Sequence, residues 1–546
     1  MPVSPMRSVF AVFAALFLTV APFADATAGS ATHRFVHVAL DKAMTKTSGR
    51  LLIFAEPLDK ARAAAKGGDI DEVDLDLFRP TDVTIMAREV TSLAPGQGVD
   101  VDGDDLVWPA GLSTLSGDIV LQAVLDVGHE YSYTGRKSGD LLSDVQTVHL
   151  APGTPLPTLS LTHAVPPRDP WHIPGSAPKV AKDAVDEAKE HTRAERFNSP
   201  LLSAFAGHAV SIRAWVLTPP GYDASATTRY PTVYYTHGFG AGFERFATTI
   251  AIVWDAMKTR AMPPMIWVFL DESGPTGTHE FADSVNNGPW GAALTGEYIP
   301  MLETKYRMDG KASGRFLNGH SSGGWATLWL QTRYPALFGG TWSTSPDPSD
   351  FHDFTGIDLY APGANAYHAQ DGTPVPLMRA SGRVVATFET FARIERVLGD
   401  FGGQLASFEW VFSPKGPDGR PMPLFNRDTG AVEANVAAYW REHYDIAERL
   451  RRHWPELKGD LDGKIHVIVG TNDTCYLDGP VHRLKDTLDG LGARSDIRFL
   501  PGKTHFDLYT AGDDRYALLK AISWEMYALA RPGARRPSPA QDSTSR

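Results

Sequence analysis

A single cysteine, Cys475, stands among 546 residues, so no intrachain disulfide can form and a cysteine-rich zinc site is excluded. Stability must come from packing, and a hydrophobic content of 43% is enough for a large core. Runs of Lys and Arg are also missing and the formal charge is −12, which argues against the phosphate-neutralising surface that nucleic acids require. Beyond the N-terminus no stretch approaches the roughly 20 apolar residues of a membrane-spanning helix. There is no internal repeat, and the length implies two or more folding units.

The first residues have the layout of a secretory signal peptide: Arg7, an apolar run over residues 9–23, then small residues that suit cleavage after Ala26 or Ala28. Residues 1–28 are therefore expected to be removed on export, to the periplasm or outside the cell, without stable membrane insertion afterwards. From residue 31 to 165 short alternating apolar runs are separated by turn-rich pieces such as Pro95-Gly96-Gln97-Gly98, which predicts an all-β, Ig-like sandwich. A structural docking role and carbohydrate binding are both open to it. Asp100, Asp102 and Asp104 begin like a calcium loop, but Asp105 replaces its Gly and Gly111 its bidentate Glu. A solvated hairpin turn is the expectation there, and no metal.

Residues 166–198 read as a proline-rich linker followed by a charged helix, and residues 531–546 as a disordered tail. Between them, over residues 199–530, continuous apolar runs such as Thr232-Val233-Tyr234-Tyr235-Thr236 and Ile465-His466-Val467-Ile468-Val469 alternate with helical or Gly-rich pieces. This pattern suits parallel strands buried on both faces, hence an α/β sheet covered by helices.

One such run leads into Gly319-His320-Ser321-Ser322-Gly323 and then a helix-favouring stretch. Strand, tight turn and helix make the setting of a nucleophile elbow, with Ser321 exposed at the turn. A serine nucleophile needs a base, and in this chain order an acid and then a histidine should follow. Asp473 falls just past the end of the run at 465–469, with Asp478 as its competitor. Only His482 and His505 come later; His505 sits in a loop after a strand, His482 in a helix. An oxyanion needs preorganised donors, and the backbone N–H groups of Ser322 and Phe239 are the candidates, the latter in Thr236-His237-Gly238-Phe239-Gly240. Asn287 and Trp290, in the loop 274–290, are candidates for a substrate pocket.

With these landmarks the segment from about 197 to 529 resembles the putative-esterase family of α/β hydrolases, which includes esterase D-like S-formylglutathione hydrolases, feruloyl and acetyl-xylan esterases, enterobactin-type esterases and mycolyl transferases. The resemblance implies an α/β-hydrolase fold and no cofactor. It rests on His237-Gly238-Phe239, the Ser321 turn, residues 338–346, Gly470 to Asp473 and the His505 loop. The chain departs from a minimal member by a long stretch, 347–462, whose aromatics either line a pocket or pack a cap. The expected activity is serine-dependent cleavage of a small-molecule or glycan-linked carboxylic ester through an acyl-enzyme, with activity rising as His505 loses its proton at a pH of about 6 to 7. An acyltransferase using the same residues, or a non-catalytic envelope binding protein, are the alternatives.

Overall fold

The computed structural model describes residues 33–132, 135–399 and 403–534. The expected signal peptide and most of the expected tail lie outside them. Among the described residues no helix is long and apolar enough to cross a membrane.

The N-terminal part is all-β apart from short helices, as its turn-punctuated apolar runs require. Its strands do not divide into two separate sheets. They hydrogen-bond along one path, in the order 98–102, 35–40, 159–164, 141–143, 117–126, 47–57, 84–93, 107–108, with 146–150 also paired to 117–126. The strand Thr47–Pro57 shows why its sequence is not a simple alternation. Leu51, Ile53 and Ala55 enter one core with Val36, Val38 and Leu121. Leu52 and Phe54 enter a second with Ile394, Val397 and Leu398, which belong to the helix Phe388–Leu398 of the other domain. Both faces of the strand are thus buried, and a half-solvated strand pattern cannot appear. Arg50 adds a hydrogen bond from Nη2 to the Val397 carbonyl, 2.8 Å.

The acidic turn is not the expected hairpin, because the strands on its two sides, 98–102 and 107–108, pair with 35–40 and 84–93 and not with each other. Asp102 Oδ1 accepts from the Asp104 amide at 3.0 Å, and Asp104 Oδ1 from the Ser113 amide at 2.9 Å, so these carboxylates cap the turn.

The linker is shorter than its composition suggests. Helix Lys179–Glu190 forms, burying Ala181, Ala184 and Ala188, but residues 192–198 are the first strand of the second large sheet. That strand pairs antiparallel with Ser211–Leu217, and as an edge strand it carries three charged residues, Arg193, Glu195 and Arg196, which read as helix when the partner is unknown. This second sheet has eight strands in the order 192–198, 211–217, 266–270, 232–236, 315–320, 340–344, 465–470, 495–500. All pairings from Ile266–Leu270 onward are parallel. Helices cover both faces, and the carboxyl ends of the parallel strands open on one edge, where ligands bind in such sheets.

Candidate active site

The strand Arg315–His320 delivers the chain into a turn at Ser321 and then into the helix Ser322–Arg333. Ser321 has φ 61° and ψ −126°, a region that costs a non-glycine residue of order 1–3 kcal/mol and that surrounding structure must enforce. Two glycines permit it. A Cβ on Gly319 would lie 2.1 Å from the Gly323 carbonyl oxygen, and one on Gly323 would lie 2.4 Å from the His237 carbonyl oxygen. The glycine spacing of the motif is therefore a consequence of how closely strand, turn and helix approach. The Ser321 amide donates to the Thr344 carbonyl at 3.0 Å, which fixes the turn to the neighbouring strand.

Asp473 follows the strand Ile465–Gly470 and is fully buried. Its Oδ2 accepts from Nδ1 of His505 at 3.0 Å, while Oδ1 accepts from the Cys475 amide at 2.9 Å. Because the carboxylate can only accept when ionised, Nδ1 carries the proton and Nε2 is left as the basic nitrogen. Burial pushes the Asp473 carboxyl up, but the adjacent His505 imidazole and the hydrogen bonds to it win, so it titrates below the usual carboxylate range. Burial would lower His505; the charge and hydrogen bond of Asp473, aided by Asp347, raise it above its ordinary 6.5.

Ser321, His505 and Phe239 line one cavity of about 240 Å³. No hydrogen bond joins Ser321 Oγ to the imidazole among the described residues, a contact that commonly tightens only when substrate binds. Ser322 opens the helix behind the turn, so its N–H is one of the donors with no intrahelical acceptor, at the positive end of the helix dipole. The Phe239 loop is held by His237: Nδ1 donates to the Gly238 carbonyl at 2.8 Å and Nε2 accepts from the Glu272 amide at 3.1 Å.

The competitors fall elsewhere. Asp478 starts the helix Asp478–Gly490 and accepts from Arg379 at 2.8 Å; His482 stacks on Phe499 with ring centroids 3.9 Å apart. Asn287 and Trp290 do not line the cavity, which corrects the expectation for them. The Trp290 ring stacks on His279 at 3.6 Å and its Nε1 donates to the Asn287 carbonyl at 2.9 Å, so the pair closes its own loop. The aromatics of 347–462 serve both roles left open above. Phe354, Phe388, Phe391 and Phe408 line the cavity, whereas Phe412 and Trp440 pack behind them.

Two features escaped the sequence reading. Asp347 lies on the cavity wall, is buried, and accepts from Ser322 Oγ at 2.5 Å; burial pushes its carboxyl up to about 6. Its position just after the strand Gly340–Thr344 was the available signal. Leu77, from the N-terminal domain, also reaches the cavity, and nothing in its local sequence marks it. Among the described residues the metal-capable cluster is Asp473, Cys475 and His505. Burial holds the Cys475 thiol protonated, pushing it well above its ordinary range, and the other two are committed to each other.

Comparison with known proteins gives a family match and distant structural likenesses. Structures similar to this chain include a ferulic acid esterase from Anaeromyces mucronatus (16% identity, TM-score 0.33, covering 62% of this chain and 90% of that one). Others are an S-formylglutathione hydrolase from Agrobacterium tumefaciens (12%, 0.35, 62% and 94%) and a fluorophosphonate-binding serine hydrolase from Staphylococcus aureus (14%, 0.35, 62% and 98%). No curated relative matches the sequence. The sequence model of the family described as "Putative esterase" matches residues 209–457, a span that contains Phe239 and Ser321 and ends before Asp473 and His505. The chain is thus a carboxylic ester hydrolase whose residues 209–457 match the Putative esterase family.

Proposed function

We propose that the protein is an exported serine esterase working through an acyl-enzyme. The observation that carries this reading is the junction of a positive-φ serine at a strand–helix turn with a buried His505–Asp473 pair on the same cavity. In the first half-reaction Nε2 of His505 takes the Ser321 hydroxyl proton as Oγ attacks the ester carbonyl. The tetrahedral oxyanion is met by the N–H groups of Ser322 and Phe239, where preorganised donors stabilise charge that exists only in the transition state. The imidazolium, oriented by Asp473, gives its proton to the departing alkoxide. Water then repeats the sequence on the acyl-enzyme and releases the acid. The N-terminal domain reads as a variant of an Ig-like sandwich, in which one continuous, open path of strands folds over the core rather than two separate sheets. Export rests on the N-terminal sequence alone and predicts a mature chain beginning at residue 27 or 29.

The test is intact-protein mass spectrometry during turnover of a slow ester. A covalent adduct of acyl mass that maps to Ser321 supports the reading, and its absence with full turnover rejects it. Adding a primary alcohol to the same reaction separates hydrolysis from acyl transfer, since a transferase yields the new ester as its main product.

A further inference from the structure

The cavity beside Ser321 is built mainly from apolar side chains, and they come from three separated parts of the chain. Phe388, Phe391, Leu405 and Phe408 belong to the segment 347–462, Phe506 follows the catalytic histidine, and Leu77 comes from the N-terminal domain. Leu77 is not a stray contact. The next residue, Phe78, is 43% exposed and places its ring 5.9 Å from that of Phe506, itself 67% exposed. Two exposed aromatic rings at the mouth of a catalytic cavity form an apolar lip, the kind of surface that proteins keep for binding.

The segment carrying Leu77 is held in place. Asp76 accepts from the Phe78 amide at 2.9 Å and from Arg79 Nε at 3.0 Å, and its carbonyl accepts from the Arg79 amide. The domain behind it is anchored through the helix Phe388–Leu398. The C-terminal half of that helix, through Ile394, Val397 and Leu398, fills the second core of the N-terminal sheet. Its N-terminal half, through Phe388 and Phe391, lines the cavity. One rigid helix thus ties the position of the N-terminal domain to the shape of the catalytic cavity.

We propose that the N-terminal domain is part of the substrate site: Leu77, with Phe78 and Phe506, closes the apolar cavity and sets the size of the uncharged aryl or medium-length alkyl group that it accepts beside the scissile ester. This rests on the serine-esterase reading. Among the described residues no Lys or Arg lines the cavity, and Asp347 faces it, so a carboxylate or phosphate on that group is disfavoured and a neutral apolar group is selected. The same apolar chemistry can lie on the acyl or the alcohol side of the ester.

The experiment uses the full mature chain as wild type, Leu77→Trp, Leu77→Ala and Phe78→Ala. Two ester series are compared: p-nitrophenyl esters from acetate to decanoate, which vary the acyl group, and acetate esters of ethanol to octanol, which vary the alcohol. One methylene in an apolar pocket already discriminates tenfold or more. In one series, Leu77→Trp should lower the long-to-short ratio of kcat/KM by about tenfold or more, and Leu77→Ala should move the optimum to longer chains. The series that responds identifies the side of the ester. Phe78→Ala, at a position 43% exposed, should lower the same ratio mainly through KM. A purely structural role would change rates without changing these ratios. Ratios equal to wild type in both series, in variants that still react with a fluorophosphonate at Ser321, overturn the proposal alone. A wild type that neither reacts at Ser321 nor turns over any ester overturns the serine-esterase reading and this inference with it.

Discussion

The reacting half of the site and its receiving half are built from different materials. Ser321, Asp473 and His505 each stand just beyond one of the parallel strands of a single sheet, on turns whose backbone is fixed by hydrogen bonds and close glycine packing. The walls that face them come from the helices of 347–462 and from Leu77 of the N-terminal domain, elements joined by side-chain packing. A framework of backbone hydrogen bonds tolerates little displacement, whereas apolar packing can be recut by single substitutions at modest cost. The first half should therefore respond to substitution by losing rate, the second by losing selectivity or stability.

The largest effects belong to the reacting half. His505→Ala should lower kcat by about 10⁶-fold and Asp473→Ala by about 10⁴-fold, because the base is indispensable and the orienting acid less so. Equal losses for the two, measured with one p-nitrophenyl ester, would contradict the roles given to them. The packing that joins the halves comes next. Ile394 is fully buried between the helix Phe388–Leu398 and the N-terminal sheet, so Ile394→Ala should cost about 2–5 kcal/mol of stability in urea unfolding. A cost near zero would show that the docking is loose. The smallest effect is electrostatic. Activity requires neutral His505 and so rises with pH; since Asp473 and Asp347 raise its pKa, the acid limb of kcat/KM should have its midpoint above 6.5. Asp347→Asn removes one of those charges and should shift the limb to lower pH, and an upward shift would reverse the assigned sign.

The same contrast decides what could be read from the sequence. The turn at Ser321 was legible because its glycines answer steric demands local in sequence, and Asp473 and His505 because strand ends are marked by apolar runs stopping at polar loops. The cavity was not. Phe388 and Phe391 have the spacing of ordinary core residues, and only their neighbour across the fold distinguishes lining from packing. Leu77 lies more than 240 positions from Ser321 and carries no motif. Asn287 and Trp290 are a polar and an aromatic residue in the loop 274–290, yet their partners lie within that loop: each other, Thr276, Ser284 and His279. The strand at 192–198 was hidden by the charged residues that an edge position allows.

The central claim is that Ser321 is the nucleophile. The most direct measurement is reaction of the purified mature protein with a fluorophosphonate probe beside its Ser321→Ala variant, with turnover of p-nitrophenyl acetate followed in both. The account predicts one labelled site in the wild type, none in the variant, and a fall in turnover of up to about 10⁶-fold. Labelling that persists in the variant, or a folded variant with undiminished turnover, would contradict it.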